Sequence, residues 1–162
     1  MLYEEKTIET IPVGPLGLIP LKSCTELNDY LVDWRRERES EHKSTIAFSG
    51  YQRESYIIGA STPRFGTGEA KGTLSESVRG DDLYIMVDVC NYSLTYSLCG
   101  MTNHMSPDDH FQDLKRIIAA AAGKARRINV IMPFLYESRQ HKRSSRESLD
   151  CALALQELTN MG

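Results

Sequence analysis

A chain of 162 residues suits one domain, with a core that buries about two thirds of the unfolded surface, and leaves no room for a second. With 41% hydrophobic and 25% charged residues, the composition is that of a folded globular domain and excludes a disordered one. The net charge of −3 argues against a protein built to coat nucleic acid or an anionic membrane, so local basic clusters are read as local sites. The opening MLYEEKTIET lacks the basic-then-apolar order of a signal peptide, and no apolar run approaches the roughly 20 residues of a membrane span. A cytoplasmic protein is expected. Cys24, Cys90, Cys99 and Cys151 lie apart with no CxxC pair, the pattern of reduced thiols serving as small core residues rather than a zinc site or disulfide framework.

In chain order, residues 1–15 carry Pro12, Gly14 and Pro15 and predict an extended N-terminal arm, with the domain itself over 16–162. GLIPLKS predicts a short strand. Ser23 and Glu26 have capping-box spacing, and Leu27, Tyr30, Leu31 and Trp34 recur at helical intervals, which predicts an amphipathic helix over 24–38 ending in a solvated charge run. STIAFSGY and YIIGAS have strand character, and GEAKGTL predicts a partly exposed hairpin strand. DDLYIMVDV (81–89) reads as a buried strand of a parallel or mixed sheet, followed by an irregular connection, NYSLTYSLCGMTNH.

Ser106, Pro107, Asp108 and Asp109 supply an N-cap, a first-turn proline and two acids for the positive end of a helix. Phe111, Leu114, Ile117, Ile118 and Ala121 form its apolar stripe, and Gly123 ends it. RINVIMPF (127–134) predicts a second buried strand. Ser144 and Glu147 again have capping-box spacing before the helical SLDCALALQELTNMG. Strand, helix, strand, loop, helix is a βαβα unit, and its right-handed crossover predicts that 83–89 and 127–133 are adjacent and parallel. The fold class is therefore α/β, a mainly parallel sheet flanked by helices. The alternation predicts a further strand after the last helix, so the sequence reads as cut at a helix end.

Arg139, Gln140, His141, Lys142, Arg143 and Arg146 fall after the carboxyl end of a predicted strand and before a helix, where open α/β sheets place ligands. Arg139 offers a planar fork for phosphate and Gln140 an amide for a base or ribose. Two readings stand: a polyphosphate ligand, or cations that meet only solvent, Glu137 and Glu147. RFGTGEAKG has the wrong last interval for a dinucleotide-binding glycine motif, and leaves a glycine-rich turn carrying Glu69. His104, Asp108, Asp109 and His110 suggest a metal cluster, but helix capping already accounts for both aspartates. No nucleophile elbow is present, and no catalytic residue is assigned.

RFGTGEAKGTLSESVRGDDLYIM resembles a stretch of ribose-phosphate pyrophosphokinases that reads Arg-Phe-x-Asp/Asn-Gly-Glu, a strand, Glu-Ser-Val-Arg-Gly and another strand. ARRINVIMPFLYESRQHKRSSRESL is similar to that family's Lys-Arg-Ile-x-x-Val-x-Pro-Tyr followed by Tyr-x-Arg-Gln-Asp-Arg-Lys. The resemblance covers most of the chain and corresponds to the family's amino-terminal half. It implies a phosphoribosyltransferase-type domain, a reaction that moves diphosphate from ATP to ribose 5-phosphate, Mg²⁺ as cofactor and a homo-oligomer. It implies that Phe65, Thr67, Gly68, Glu69, Arg139 and Gln140 bind ATP, partly across a subunit interface. The family's metal-binding histidine segment, catalytic loop and ribose-phosphate loop correspond to nothing in this chain. Thr67 replaces the family's Asp or Asn, His141 replaces its Asp, and residues 90–105 replace a shorter connection. The alternative function is a non-catalytic homologue kept for regulation or assembly; nucleic-acid binding would rest on the basic loop alone.

Overall fold

The apolar run after Gly80 becomes the centre of the sheet. The computed structural model describes residues 12–27, 30, 55–121 and 123–162. Its strands are β1 (Leu16–Pro20), β2 (Ala60–Ser61), β3 (Thr73–Leu74), β4 (Asp82–Met86), β5 (Thr95–Leu98), β6 (Met101–His104) and β7 (Arg127–Ile131). The helices are α1 (Pro107–Ala121) and α2 (Asp150–Asn160). β4 lies between β1 and β7 and pairs in parallel with both. Leu83 and Ile85 are fully buried on one face of β4, and Asp82 and Met86 are buried on the other with Tyr84 half-buried between them, so the strand is covered on both faces. The expected parallel pairing of 83–89 with 127–133 is therefore present, with Ile85 opposite Val130.

Helix α1 makes the crossover between β4 and β7. Its start is a reciprocal cap: the Asp109 amide donates to Ser106 Oγ at 3.1 Å, and the Ser106 amide donates to Asp109 Oδ2 at 2.9 Å. Phe111, Leu114, Ile117, Ile118 and Ala121 are all buried and join Ile19, Ile58, Leu83, Ile85 and Val87 in one core. The helix ends before Gly123, at φ 68°. The fold is thus a mixed α/β domain with a parallel three-stranded sheet and flanking helices, as the sequence predicts.

Three expectations meet a different outcome. Residues 90–105 are not an irregular connection, because β5 and β6 form an antiparallel hairpin over 95–104. Its two-residue turn, Cys99 at φ 50° and Gly100 at φ 81°, has the left-handed backbone that matches strand twist. Ser144 and Glu147 are bonded, the Ser144 amide donating to Glu147 Oε2 at 3.2 Å, but this pair starts no helix and α2 begins only at Asp150. Of the cysteines, Cys24 and Cys151 are buried, whereas Cys90 and Cys99 are exposed. The expected helix over 24–38, apart from its first residues and Tyr30, the strand STIAFSGY and residues 1–11 of the arm lie outside the described residues.

The first residues of the parallel strands are joined by charge. Arg127 donates from Nε to Asp82 Oδ1 at 2.7 Å and from Nη2 to Oδ2 at 2.6 Å, and Asn129 adds a bond to Oδ1 at 3.0 Å. Asp82 and Arg127 are register partners, so this fork pins the β4–β7 alignment. The Arg127 bonds hold the Asp82 carboxyl below the usual carboxylate range, against the opposing effect of burial. A carboxyl depressed in the folded state contributes stability that is present above its unfolded value, about 4, and lost as pH falls through the folded value. Asp82→Asn is therefore expected to lower stability at pH 7 and to flatten the acid limb of the stability curve. Urea unfolding across that range checks it, and an unchanged acid limb would count against the assignment.

Candidate functional site

The turn Phe65–Glu69 is the tip of the unit that begins with β2 and returns through β3. The Phe65 amide donates to the Glu69 carbonyl at 2.7 Å and the Gly68 amide to the Phe65 carbonyl at 2.9 Å, with Gly68 at φ 89°. Arg64 and Ala70 bridge at its base. Phe65 is 53% exposed, and Thr67 and Glu69 are exposed as well. The Thr67 hydroxyl donates to Glu69 Oε2 at 3.0 Å, so the threonine that departs from the family pattern orients the turn's carboxylate.

The turn is tied to α1 by the preceding residue. Arg64 Nη2 donates to Asp113 Oδ2 at 3.0 Å and lies 3.9 Å from Asp109 Oδ1. Asp113 also accepts from the Thr62 hydroxyl at 2.9 Å and from Arg116 Nη1 at 2.6 Å. This buried carboxylate is satisfied from three sides. In the sequence it is only a polar position between stripe residues, and two of its partners lie far away in the chain.

Arg139 and Gln140 occupy the loop between β7 and α2, anchored to the same helix. The Tyr136 ring stacks on Phe111, centroids 4.2 Å apart, and its hydroxyl donates to Asp108 Oδ1 at 2.7 Å. Burial first, and then the Asp108 bond, push the Tyr136 hydroxyl well above its ordinary value, so it remains a donor throughout the neutral range. Glu137 follows at φ 57°, a backbone that non-glycine residues rarely adopt. Gln140 Nε2 donates to the Ser148 carbonyl at 2.8 Å and the Cys151 amide donates to the Gln140 carbonyl at 3.3 Å, closing the loop. Arg139 is exposed, and among the described residues its guanidinium has no hydrogen-bonding or ionic partner.

The six expected ligand-binding residues thus fall into two groups, and among the described residues no hydrogen bond, ion pair or ring contact joins Phe65–Glu69 to Arg139–Gln140. Both groups are instead held by the first turns of α1, through Asp108 on one side and Asp109 and Asp113 on the other. Lys142, Arg143 and Arg146 are exposed, and among the described residues none forms an ion pair with Glu137 or Glu147. Glu147 is engaged by Ser144. The metal cluster considered from the sequence dissolves into separate contacts: His104 stacks on Tyr92, Asp108 takes Tyr136, Asp109 caps the helix and His110 Nε2 lies 2.8 Å from the Asn91 carbonyl. No group of three His, Cys, Asp or Glu among the described residues is placed to hold a metal ion. A cavity of about 330 Å³ lies beside the end of β1, lined by Ser23, Thr62, His110 and Asp113 among others, and includes none of the six residues.

Comparison with known proteins adds an independent line. Residues 35–162 match the family described as the N-terminal domain of ribose phosphate pyrophosphokinase. The sequence matches no individual curated protein. Among solved structures, phosphoribosylpyrophosphate synthetase from Mycobacterium smegmatis superposes with a TM-score of 0.65 at 21% identity, over 91% of this chain. This chain spans 40% of that protein. Among the described residues, no helix is long and apolar enough to cross a membrane.

Tyr136→Phe keeps the stack on Phe111 and deletes only the bond to Asp108, so it should cost about 1 kcal/mol. Thermal unfolding at pH 7 measures it, and no loss would remove the Tyr136–Asp108 bond as an anchor of the basic loop.

Proposed function

Because this chain belongs to the ribose phosphate pyrophosphokinase family, as its N-terminal domain, we propose that it supplies ATP-binding groups to an enzyme that transfers diphosphate from ATP to ribose 5-phosphate. The products are phosphoribosyl pyrophosphate and AMP. The observation that carries the reading is the uncommitted guanidinium of Arg139, set beyond a tethered tyrosine and followed by Lys142 and Arg143 with no carboxylate to neutralise them among the described residues. Such a planar fork binds a phosphate oxygen pair with charge-assisted hydrogen bonds. Gln140 has its amide nitrogen committed to the loop and keeps its oxygen for a donor on the ligand. Glu69, oriented by Thr67, offers an acceptor for an adenine amino group, and the exposed Phe65 ring offers a face for a base.

The separation of the two groups supports a site completed between subunits, with the turn of one copy facing the loop of another. Ile131, Phe134, Leu135, Leu153 and Leu155 are each 40% exposed or more, an apolar area consistent with association. That same surface favours the second reading, a non-catalytic homologue retained for assembly or regulation. The family reaction depends on Mg²⁺, but the described residues offer no set of ligands for it, and none is assigned. No described residue is assigned to ribose 5-phosphate, and the chain spans 40% of the solved relative. Localisation in the cytoplasm fits a family that serves nucleotide synthesis.

Titration calorimetry with ATP tests the reading. Arg139→Ala should weaken binding by roughly 1.5 to 3 kcal/mol, the worth of a hydrogen bond to a charged group. With ribose 5-phosphate and Mg²⁺ added, the isolated chain should release no AMP, because the second substrate is not held in line. Equal affinity in both proteins would remove Arg139 from the site, and turnover by the isolated chain would refute its assignment as a nucleotide-binding domain alone.

A further inference from the structure

The hairpin β5–β6 lies against the very turn whose exposed residues are proposed to bind ATP. Thr95 and Ser97 point to solvent while Tyr96 and Leu98 are half-buried, so one face of β5 is occupied. What occupies it is the Arg64–Gly68 segment. Tyr96 covers the Arg64 guanidinium, 4.8 Å from ring centroid to Cζ, and the same guanidinium pairs with Asp113 and lies near Asp109. Leu98 sits so close to Gly68 that a Cβ there would come within 2.8 Å of its Cδ1. At the tip, the Cys99 amide donates to the Gly66 carbonyl at 2.9 Å.

The base of the hairpin is fastened too. The Met105 amide donates to the Leu94 carbonyl at 2.8 Å and closes the hairpin's open end, while Asn91 just before it reaches the body: its Nδ2 donates to the Ser23 carbonyl at 3.1 Å and its carbonyl meets the buried His110 ring of α1 at 2.8 Å. The hairpin is therefore anchored at its root to the body of the domain and at its tip to the turn. The bonds within the turn are few and mostly exposed: two backbone hydrogen bonds, the Thr67–Glu69 bond and a long bond from Arg64 Nη1 to the Gly68 carbonyl at 3.4 Å, with Phe65, Gly66, Thr67 and Glu69 all exposed. An exposed loop of this kind opens easily unless something packs on it, and a loop ordered before binding loses less entropy when ligand arrives.

We infer that β5–β6 is a brace that positions the Phe65–Glu69 turn for nucleotide, with Tyr96 and Leu98 as the positioning residues. The role in nucleotide binding rests on the proposed ATP site, whereas the mechanical role does not. It is tested in the full chain by amide hydrogen exchange together with ATP titration, comparing wild type with Tyr96→Ala/Leu98→Ala, with Leu98→Ala alone as the milder variant should the pair fail to fold. Thr95→Ala, on the solvent face, is the control. The brace variants should exchange the Phe65 and Gly68 amides about tenfold faster while the β4 amides keep their protection, and should bind ATP about three- to tenfold more weakly. The control should change neither.

Unchanged exchange at Phe65 and Gly68 would overturn the brace whatever ATP does. Faster exchange with undiminished ATP affinity would overturn its role in positioning the turn for nucleotide. Faster exchange in a chain whose wild type binds no ATP would uphold the mechanical brace and reject the ATP reading instead.

Discussion

Everything in this domain hangs on a strand buried on both faces. β4 has a hydrogen-bonded neighbour on each side, with an apolar face at Leu83 and Ile85 and a second face on which the buried Asp82 is satisfied by Arg127 and Asn129. Parallel neighbours force a crossover, and α1 is that crossover, so its stripe of Phe111, Leu114, Ile117 and Ile118 and the side chains of Leu83, Ile85 and Val87 share one core. The Asp82–Arg127 fork then removes the freedom to slip, because a shifted register would separate charges that share a pair of short hydrogen bonds. Core and register together fix where α1 begins.

The beginning of α1 matters because both candidate ligand-binding segments are fastened there. Acidic residues in a first turn are commonly explained by the helix dipole alone. Here they also have external partners: Asp108 receives the Tyr136 hydroxyl ahead of the basic loop, and Asp109, with Asp113 one turn further on, faces Arg64 ahead of the Phe65–Glu69 turn. One helix end therefore sets the places of two surface segments that share no bond or ring contact among the described residues. Arg139 lies in the first of these and Glu69 in the second, and each is left exposed while residues a few positions earlier do the anchoring.

Where the sequence spoke through local chemistry, it was legible. The apolar runs around Ile85 and Val130, the proline and acids after Ser106, and Gly123 each encode an outcome within a few residues, and the structure matches them. The hairpin was not legible, since TYSL is short and its turn is Cys-Gly rather than the usual Asn-Gly. The start of α2 differs from the sequence expectation for another reason. Gln140 binds the Ser148 carbonyl and accepts from the Cys151 amide, so bonds to the preceding loop hold the chain out of the helix past the Ser144–Glu147 pair. The Arg64–Asp113 pair spans 49 residues, and no local pattern signals a partner at that distance. The motif resemblance picks out Arg139 and Glu69, but what anchors each of them is visible only in the fold.

The central claim is that one ligand, ATP, engages both the turn and the basic loop. A two-dimensional amide spectrum of the isotopically labelled chain, titrated with ATP, tests it most directly. The account predicts saturable shifts clustered at 65–69 and at 139–143, with the core strands β4 and β7 undisturbed. Shifts confined to the cavity beside β1, or none in either segment at saturating ATP, would contradict it.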